Sequence, residues 1–198
     1  MSVLTRMTGR IAGAAVLVAL SATPALAQVT IFTAALRGSN EVPPNASTGT
    51  GFITVTLDQL LNTLQVSETF SGLIGGNAAA AHIHCCGGPG VAVGVAVGFP
   101  GFPGATSGTY APLPFDLMLA STYNPTFFAA SGGTVTGARN ALVSGLFAGQ
   151  TYANIHNTQF GGGEIRGQLI ATPEPATLGL LATGLLGIAG IARRRRRV

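Results

Sequence analysis

The stretch GFITVTLD at residues 51–58 decides the fold class of this chain. Its apolar residues Ile53, Val55 and Leu57 alternate with threonines. Alternation with a period of two is the pattern of a β-strand that buries one face. Isoleucine, valine and threonine are β-branched, which favours strands over helices. Residues 51–58 therefore predict a strand whose three aliphatic side chains point into a core.

Other segments repeat this pattern, separated by glycine and proline. Strands are predicted at residues 29–37, 51–58, 64–70, 80–84, 115–119, 152–156 and 164–170. Many short strands with turn residues between them indicate an all-β fold, a single antiparallel β-sandwich. The predicted core comprises Phe32, Leu36, Ile53, Val55, Leu57, Val66, Ile83, Ile155, Ile165 and Leu169.

Two segments depart from the strand pattern. Residues 138–146 form the one predicted short helix, which ends at Gly149. Residues 85–109 are rich in glycine and proline, which central strands exclude. They predict a long surface loop with one edge strand at residues 91–97.

Residues 1–27 have the features of a secretory signal peptide. Two arginines precede an apolar stretch at residues 11–20. The segment Ala25-Leu26-Ala27 is the small-x-small pattern that signal peptidase accepts, so we expect cleavage after Ala27, with Ala25 and Ala27 as the recognised residues. The folded domain then spans residues 28–171.

Residues 172–198 combine three parts with separate physical roles. A Pro-Glu-Pro triplet breaks any preceding element, and the apolar run at residues 176–192 can enter a bilayer as a transmembrane segment. Five consecutive arginines follow, and their positive charges keep the C-terminus on the cytoplasmic side of the membrane. The residues concerned are Pro173, Glu174, Pro175, Arg193, Arg194, Arg195, Arg196 and Arg197.

This tail resembles the PEP-CTERM sorting signal of Gram-negative bacteria. Proteins with that signal are exported and passed to an exosortase that acts near the triplet. The resemblance implies an exosortase as a partner and a precursor anchored in the inner membrane through residues 176–192. The alternative is an ordinary single-span C-terminal anchor.

The net charge of +4 arises from the two ends of the chain. Seven of the ten arginines lie in the signal peptide and the tail, which leaves three arginines against five acidic residues in residues 28–171. The exported region therefore lacks the basic stripe that nucleic-acid binding needs, and we expect no nucleic-acid partner.

All three histidines fall in two strand-like segments. In Ala81-His82-Ile83-His84 the two histidines share one face, and in Asn154-Ile155-His156 the polar residues do the same. The polar residues of the strand at residues 164–170 also share a face. If these strands are neighbours, three imidazoles, a carboxylate and a guanidinium come together.

The same segments carry a family resemblance that spans the exported region in order. The motifs are Phe32-Thr33-Ala34-Ala35-Leu36 with Gly38, Glu41-Val42-Pro43-Pro44, His82-Ile83-His84, Asn154-Ile155-His156, Phe160 and Gly162-Gly163-Glu164-Ile165-Arg166-Gly167-Gln168-Leu169. Together they resemble the CHRD domain, which is named for chordin and is widespread in bacterial secreted proteins. The family has an unsettled biochemical role, so the resemblance implies architecture more than activity. In the family a glycine commonly follows the second histidine of the triplet, whereas in this chain Cys85-Cys86 follow His84.

A second resemblance, of spacing only, is to copper/zinc superoxide dismutase, whose copper is held partly by a His-x-His strand. The predicted sandwich is accordingly immunoglobulin-like or superoxide-dismutase-like. His82, His84 and His156 are the candidate ligands of one copper or zinc ion, with water, Glu164, Cys85 or Cys86 completing the shell. The sequence has no bridging histidine and no zinc ligand set, which excludes a binuclear centre.

Several of these residues also have structural interpretations. The adjacent cysteines could form a vicinal disulfide that shapes a turn, a thiol pair near a metal, or a link to a partner. Glu164 and Arg166 are predicted to form an ion pair on one strand face, and Glu41 before two prolines to serve a turn. No catalytic residues are predicted.

The sequence favours binding over catalysis. We expect an exported envelope or extracellular-matrix protein, associated with biofilm and exopolysaccharide and processed by an exosortase. The alternative is a mononuclear copper or zinc protein of superoxide-dismutase-like type that uses His82, His84 and His156.

Overall fold

The computed structural model describes residues 29–173, 183–188 and 193. Residues 29–173 contain one antiparallel sheet of ten strands with two α-helices packed beside it. The strands are β1 (Val29–Arg37), β2 (Thr50–Asp58), β3 (Thr63–Ser71), β4 (Ala80–Cys85), β5 (Val95–Gly98), β6 (Gly108–Tyr110), β7 (Phe115–Asp116), β8 (Thr151–His156), β9 (Ile165–Gln168) and β10 (Ile170–Ala171). The helices are α1 (Pro125–Ala130) and α2 (Val135–Phe147).

The sheet runs in the order β5-β4-β8-β9-β1-β2-β3-β6, with β10 on β1 and β7 on β3. Its two ends meet through side chains. Phe99, just after β5, stacks on Tyr110 of β6 with ring centroids 5.2 Å apart, and the Tyr110 hydroxyl donates to the Pro100 carbonyl at 3.1 Å. The predicted antiparallel all-β fold is confirmed, and the two layers expected of a sandwich belong to one continuous curled sheet.

The core lies inside the curl. All ten predicted core residues are fully buried there, because the apolar residue of each alternating pair faces inward. Helix α2 adds Leu142 and Leu146 to the same cluster. The alternation at residues 51–58 thus predicts the buried face of β2 correctly.

The helices and the long loop differ from the prediction. Helix α1 was not expected; Asn124 caps it by accepting from the Thr126 N–H at 2.9 Å, and Pro125 occupies its first turn, where proline is tolerated. The expected single helix is α2, which begins at Val135. The edge strand expected at residues 91–97 is β5, which is shifted by a few residues.

The two ends of the chain contain most of the targeting features. The predicted signal peptide and its predicted cleavage residues lie outside the described residues, as do most of residues 172–198. Residues 183–188 are helical and exposed. Among the described residues no helix is long and apolar enough to cross a membrane.

Candidate metal centre

Three neighbouring strands, β4, β8 and β9, present polar side chains on the sheet face opposite the core. His82 lies opposite Asn154, and His84 lies opposite Tyr152. On the next strand Arg166 lies opposite Asn154. Because side chains alternate along a strand, these five residues share one face. The polar faces of the three strands therefore adjoin, as their sequences predict.

The imidazoles of His82, His84 and His156 form a cluster on this face. The ring centroid of His82 lies 5.1 Å from that of His156 and 5.7 Å from that of His84. One ring nitrogen of each histidine lies within 4.8 Å of the other two. Two nitrogens bound to one ion at about 2 Å each lie up to about 4 Å apart, so small ring rotations bring all three into ligand positions.

Burial keeps the three rings neutral. Burial, with the charges of His156 and His84, lowers the pKa of His82 to about 4. Burial likewise lowers the pKa of His84 and of His156. A neutral imidazole has a lone pair on one nitrogen, which is the form that binds a metal ion. The cluster therefore offers three lone pairs at neutral pH.

Hydrogen bonds orient two of the rings. Nδ1 of His84 lies 2.8 Å from the Val93 carbonyl, and Nδ1 of His156 lies 2.9 Å from the Gly161 carbonyl. A carbonyl only accepts, so each Nδ1 carries the proton and each Nε2 carries the lone pair. Metal-binding histidines commonly make this kind of bond through the nitrogen that does not bind the metal.

Two ring nitrogens have no partner. Nδ1 of His82 and Nε2 of His84 are buried and make no hydrogen bond within the described part of the chain. Nε2 of His156 faces Oδ1 of Asn154 at 2.9 Å. Because that nitrogen carries a lone pair, the amide oxygen offers it no proton. The cluster is thus rich in lone pairs, and no described group donates a hydrogen bond to Nε2 of His84 or of His156.

Residues 86–94, the covering loop, are tied to this face through backbone atoms. The Val93 carbonyl accepts from the Tyr152 hydroxyl at 3.1 Å in addition to His84. The Val91 carbonyl accepts from the Arg166 guanidinium at 2.7 Å. The covering loop therefore depends on the same side chains that surround the histidines.

Tyr152 lies between a histidine and an arginine. Its ring is parallel to that of His84, with centroids 4.5 Å apart and an interplanar angle of 5°. The guanidinium carbon of Arg166 lies 3.3 Å from the centroid of the same ring. Since β8 lies between β4 and β9, the imidazole and the guanidinium flank the ring. Arg166 is only 3% exposed.

Glu41 stands in a turn, as expected, since its N–H donates to the Gly38 carbonyl, but its side chain also belongs to this site. The side chain is buried, and its Oε1 has no hydrogen-bond partner among the described residues. It packs against Gly163 and the Asn154 amide. Burial raises the pKa of Glu41 to about 7, although Arg166 and hydrogen bonds from the Val42 backbone and the Asn154 amide lower it. No pattern around residue 41 signals this contact, because Asn154 lies far along the chain.

Glu164 lies outside the histidine cluster, and it does not pair with Arg166 as expected. Its carboxylate accepts from the Ser47 hydroxyl and the Ile74 N–H, both at 2.6 Å, and from the Asn157 amide. These hydrogen bonds connect the loops that contain Ser47, Ile74 and Asn157, so the role of Glu164 is structural. Arg166 instead binds the covering loop and Tyr152.

Cys85 and Cys86 are joined to each other by a disulfide. The vicinal disulfide is thus the one of the three alternatives that is present, and neither sulfur is a free thiolate. Cys85 is buried against α2, where a Cβ atom on Gly145 would lie 2.5 Å from its sulfur. The disulfide therefore faces α2 and not the histidines.

Comparison with known proteins identifies two regions. The CHRD domain matches residues 32–169, and the PEP-CTERM protein-sorting motif matches residues 171–197. No curated protein and no solved structure matches the chain. The sorting motif marks an exported protein that an exosortase processes. Since the first match covers most of the sequence, the chain belongs to the CHRD-domain family and carries a C-terminal PEP-CTERM sorting signal.

Proposed function

We propose that this chain is an exported metal-binding protein whose three histidines hold one copper or zinc ion. The observation that carries the proposal is the pair of buried, unpartnered nitrogens, His82 Nδ1 and His84 Nε2, beside His156. A buried polar atom without a partner destabilises a fold, and a cation would satisfy both atoms. Imidazole nitrogens suit copper and zinc.

Three protein ligands leave a fourth position for water or a small ligand. A superoxide-dismutase-like activity of a copper-loaded centre is the second candidate function. It is favoured by the partial exposure of His82 and His156, which allows solvent to reach them.

We also propose that the mature domain, residues 28–171, acts in the envelope or extracellular matrix of a Gram-negative bacterium, in association with exopolysaccharide. The sorting motif supports this location. The apolar run at residues 176–192 would hold the precursor in the inner membrane until exosortase cleavage. Cell fractionation before and after enzymatic removal of exopolysaccharide tests the association, because a matrix protein is released by that treatment.

Metal analysis of protein purified from the periplasm tests the metal site. Wild-type protein loaded with copper or zinc and then desalted should retain one equivalent. Alanine variants of His82, His84 and His156 should lose it and keep the β-sheet circular dichroism spectrum. The variant Cys85→Ala/Cys86→Ala is the control, since its sulfurs face α2 and removing them should leave the metal content unchanged. Equal metal content in the histidine variants and wild type would contradict the proposal.

A further inference from the structure

The charges around the three histidines differ in sign and in permanence. Arg166 is almost fully buried and lies one aromatic ring away from His84. An arginine side chain keeps its charge at all relevant pH values. Glu41 supplies the opposing negative group, beside Asn154 and also buried. The three imidazoles themselves contribute no charge, so these two residues set the local potential.

The two groups differ in how permanently they are charged. The Arg166 guanidinium lies against the Tyr152 ring, which also stacks on His84, so its fixed positive charge is one ring away from the cluster. Glu41 reaches the cluster through the Asn154 amide, and its burial favours the neutral carboxyl group. A metal ion bound by the histidines would therefore lie close to a permanent positive charge.

We propose that the buried Arg166 guanidinium makes this site favour monovalent copper, Cu(I), over divalent Cu(II). This inference rests on the proposed metal-binding function. Repulsion between a fixed charge and an ion is proportional to the charge of the ion, so Arg166 disfavours a divalent ion twice as much as a monovalent one. No carboxylate or thiolate joins the histidines in the described cluster to offset a second positive charge. Three imidazoles with no anionic ligand are compatible with Cu(I).

The same argument gives two variants with opposite effects. Arg166→Gln removes the repulsion, which should benefit Cu(II) more than Cu(I) and lower the reduction potential. Glu41→Gln removes the attraction that the ionised carboxylate exerts above its pKa of about 7, which should raise the potential at pH 8. Arg166→Lys retains the charge and should keep most of the preference. Arg139→Gln is the matched control, because Arg139 lies on α2 and donates to Asn62 at 2.6 Å, away from the histidines.

The experiment is voltammetry of the copper-loaded protein, combined with Cu(I) affinity measured by competition with bathocuproine disulfonate. We expect Arg166→Gln to reduce the Cu(I)-over-Cu(II) preference by about tenfold or more, and a tenfold change is about 59 mV for a one-electron couple. Arg139→Gln should leave the potential at the wild-type value.

The outcomes separate this inference from the proposal on which it rests. If wild-type protein binds copper but Arg166→Gln leaves the potential unchanged or raises it, the charge argument is overturned and the metal site stands. If wild-type protein binds zinc but no copper, the inference alone is overturned, and if it binds neither metal, both are overturned. Should Arg166→Gln not fold, Glu41→Gln at pH 8 decides the question, because the Glu41 carboxyl group, with a pKa of about 7, is ionised there and an unchanged or lower potential in that variant contradicts the charge argument.

Discussion

Glu68 is an ionisable residue at an inward position of β3, where the alternating pattern otherwise places apolar residues. Its replacement tests how much the burial of this carboxyl group destabilises the protein. It lies on β3 between Val66 and Phe70, on the inward face, and is fully buried. Neither carboxyl oxygen has a hydrogen-bond partner within the described residues. Burial raises the pKa of Glu68 to about 8, since no partner compensates the lost hydration of the charged form.

We predict that Glu68→Gln stabilises the protein. At pH 7 a carboxyl group with the ordinary pKa of 4.5 is ionised, so it must take up a proton in order to be buried. This protonation costs about 1.4 kcal/mol for each pH unit between 4.5 and 7, or about 3 kcal/mol in total. Glutamine has nearly the same shape and is neutral at every pH, so it avoids this cost. The free energy of unfolding should therefore rise by about 3 kcal/mol at pH 7.

The pH dependence has a definite sign. Between pH 4.5 and about 8 the folded state holds a proton on Glu68 that the unfolded state has released. Stability of the wild type should therefore fall as pH rises through that window, whereas this contribution is absent from Glu68→Gln. Urea unfolding at pH 4, 6 and 8, with a chelator present to remove metal, measures the difference. A constant difference between the two proteins from pH 4 to pH 8 would refute the reasoning.

Glu164 is the matched control, because it is equally buried but fully hydrogen-bonded. Glu164→Gln replaces an acceptor by a donor that faces other donors. That variant should lose about 2 kcal/mol or more at pH 7, the opposite sign to Glu68→Gln.

Three further predictions follow from burial, from packing and from the chain ends. Ile155→Asp should prevent folding, seen as loss of the cooperative unfolding transition, because an unpaired buried charge costs several kcal/mol against a total of about 5–15 kcal/mol. Gly145→Ala should lower the free energy of unfolding by about 1–3 kcal/mol, because its Cβ would lie 2.5 Å from the Cys85 sulfur; an unchanged urea midpoint would contradict that contact. Mass spectrometry of the exported protein should find Gln28 at the N-terminus and no residues 193–197; a chain that retains those arginines would indicate simple anchoring.

Local patterns predicted much of the fold. Alternation along β1, β2 and β3 determines which side chains face inward, and this depends only on neighbours in sequence. The same rule predicted that His82 and His84 share a face. Short elements without a periodic pattern, such as α1, gave no comparable signal, because a few residues and an asparagine cap define them.

The rest of the site depends on contacts between distant parts of the chain. Whether β4 lies beside β8 is decided by sheet topology, which alternation does not determine. The position of Glu41 beside Asn154 and the stacking of Arg166 on Tyr152 likewise need the folded arrangement. Glu68 is polar at an inward position, and an alternating pattern gives no reason to place a carboxyl there.

The chain enters and leaves its domain side by side. Thr172 donates its N–H to the Ile31 carbonyl at 2.8 Å, and Ala171 pairs with Phe32, so the first and last strands are hydrogen-bonded neighbours. The predicted signal-peptidase cut lies just before this point, and the Pro-Glu-Pro triplet lies just after it. A membrane attachment at either terminus would thus hold the domain at the same point on its surface. Cleavage of one of the two attachments would change which terminus is anchored, but not which side of the domain faces the membrane.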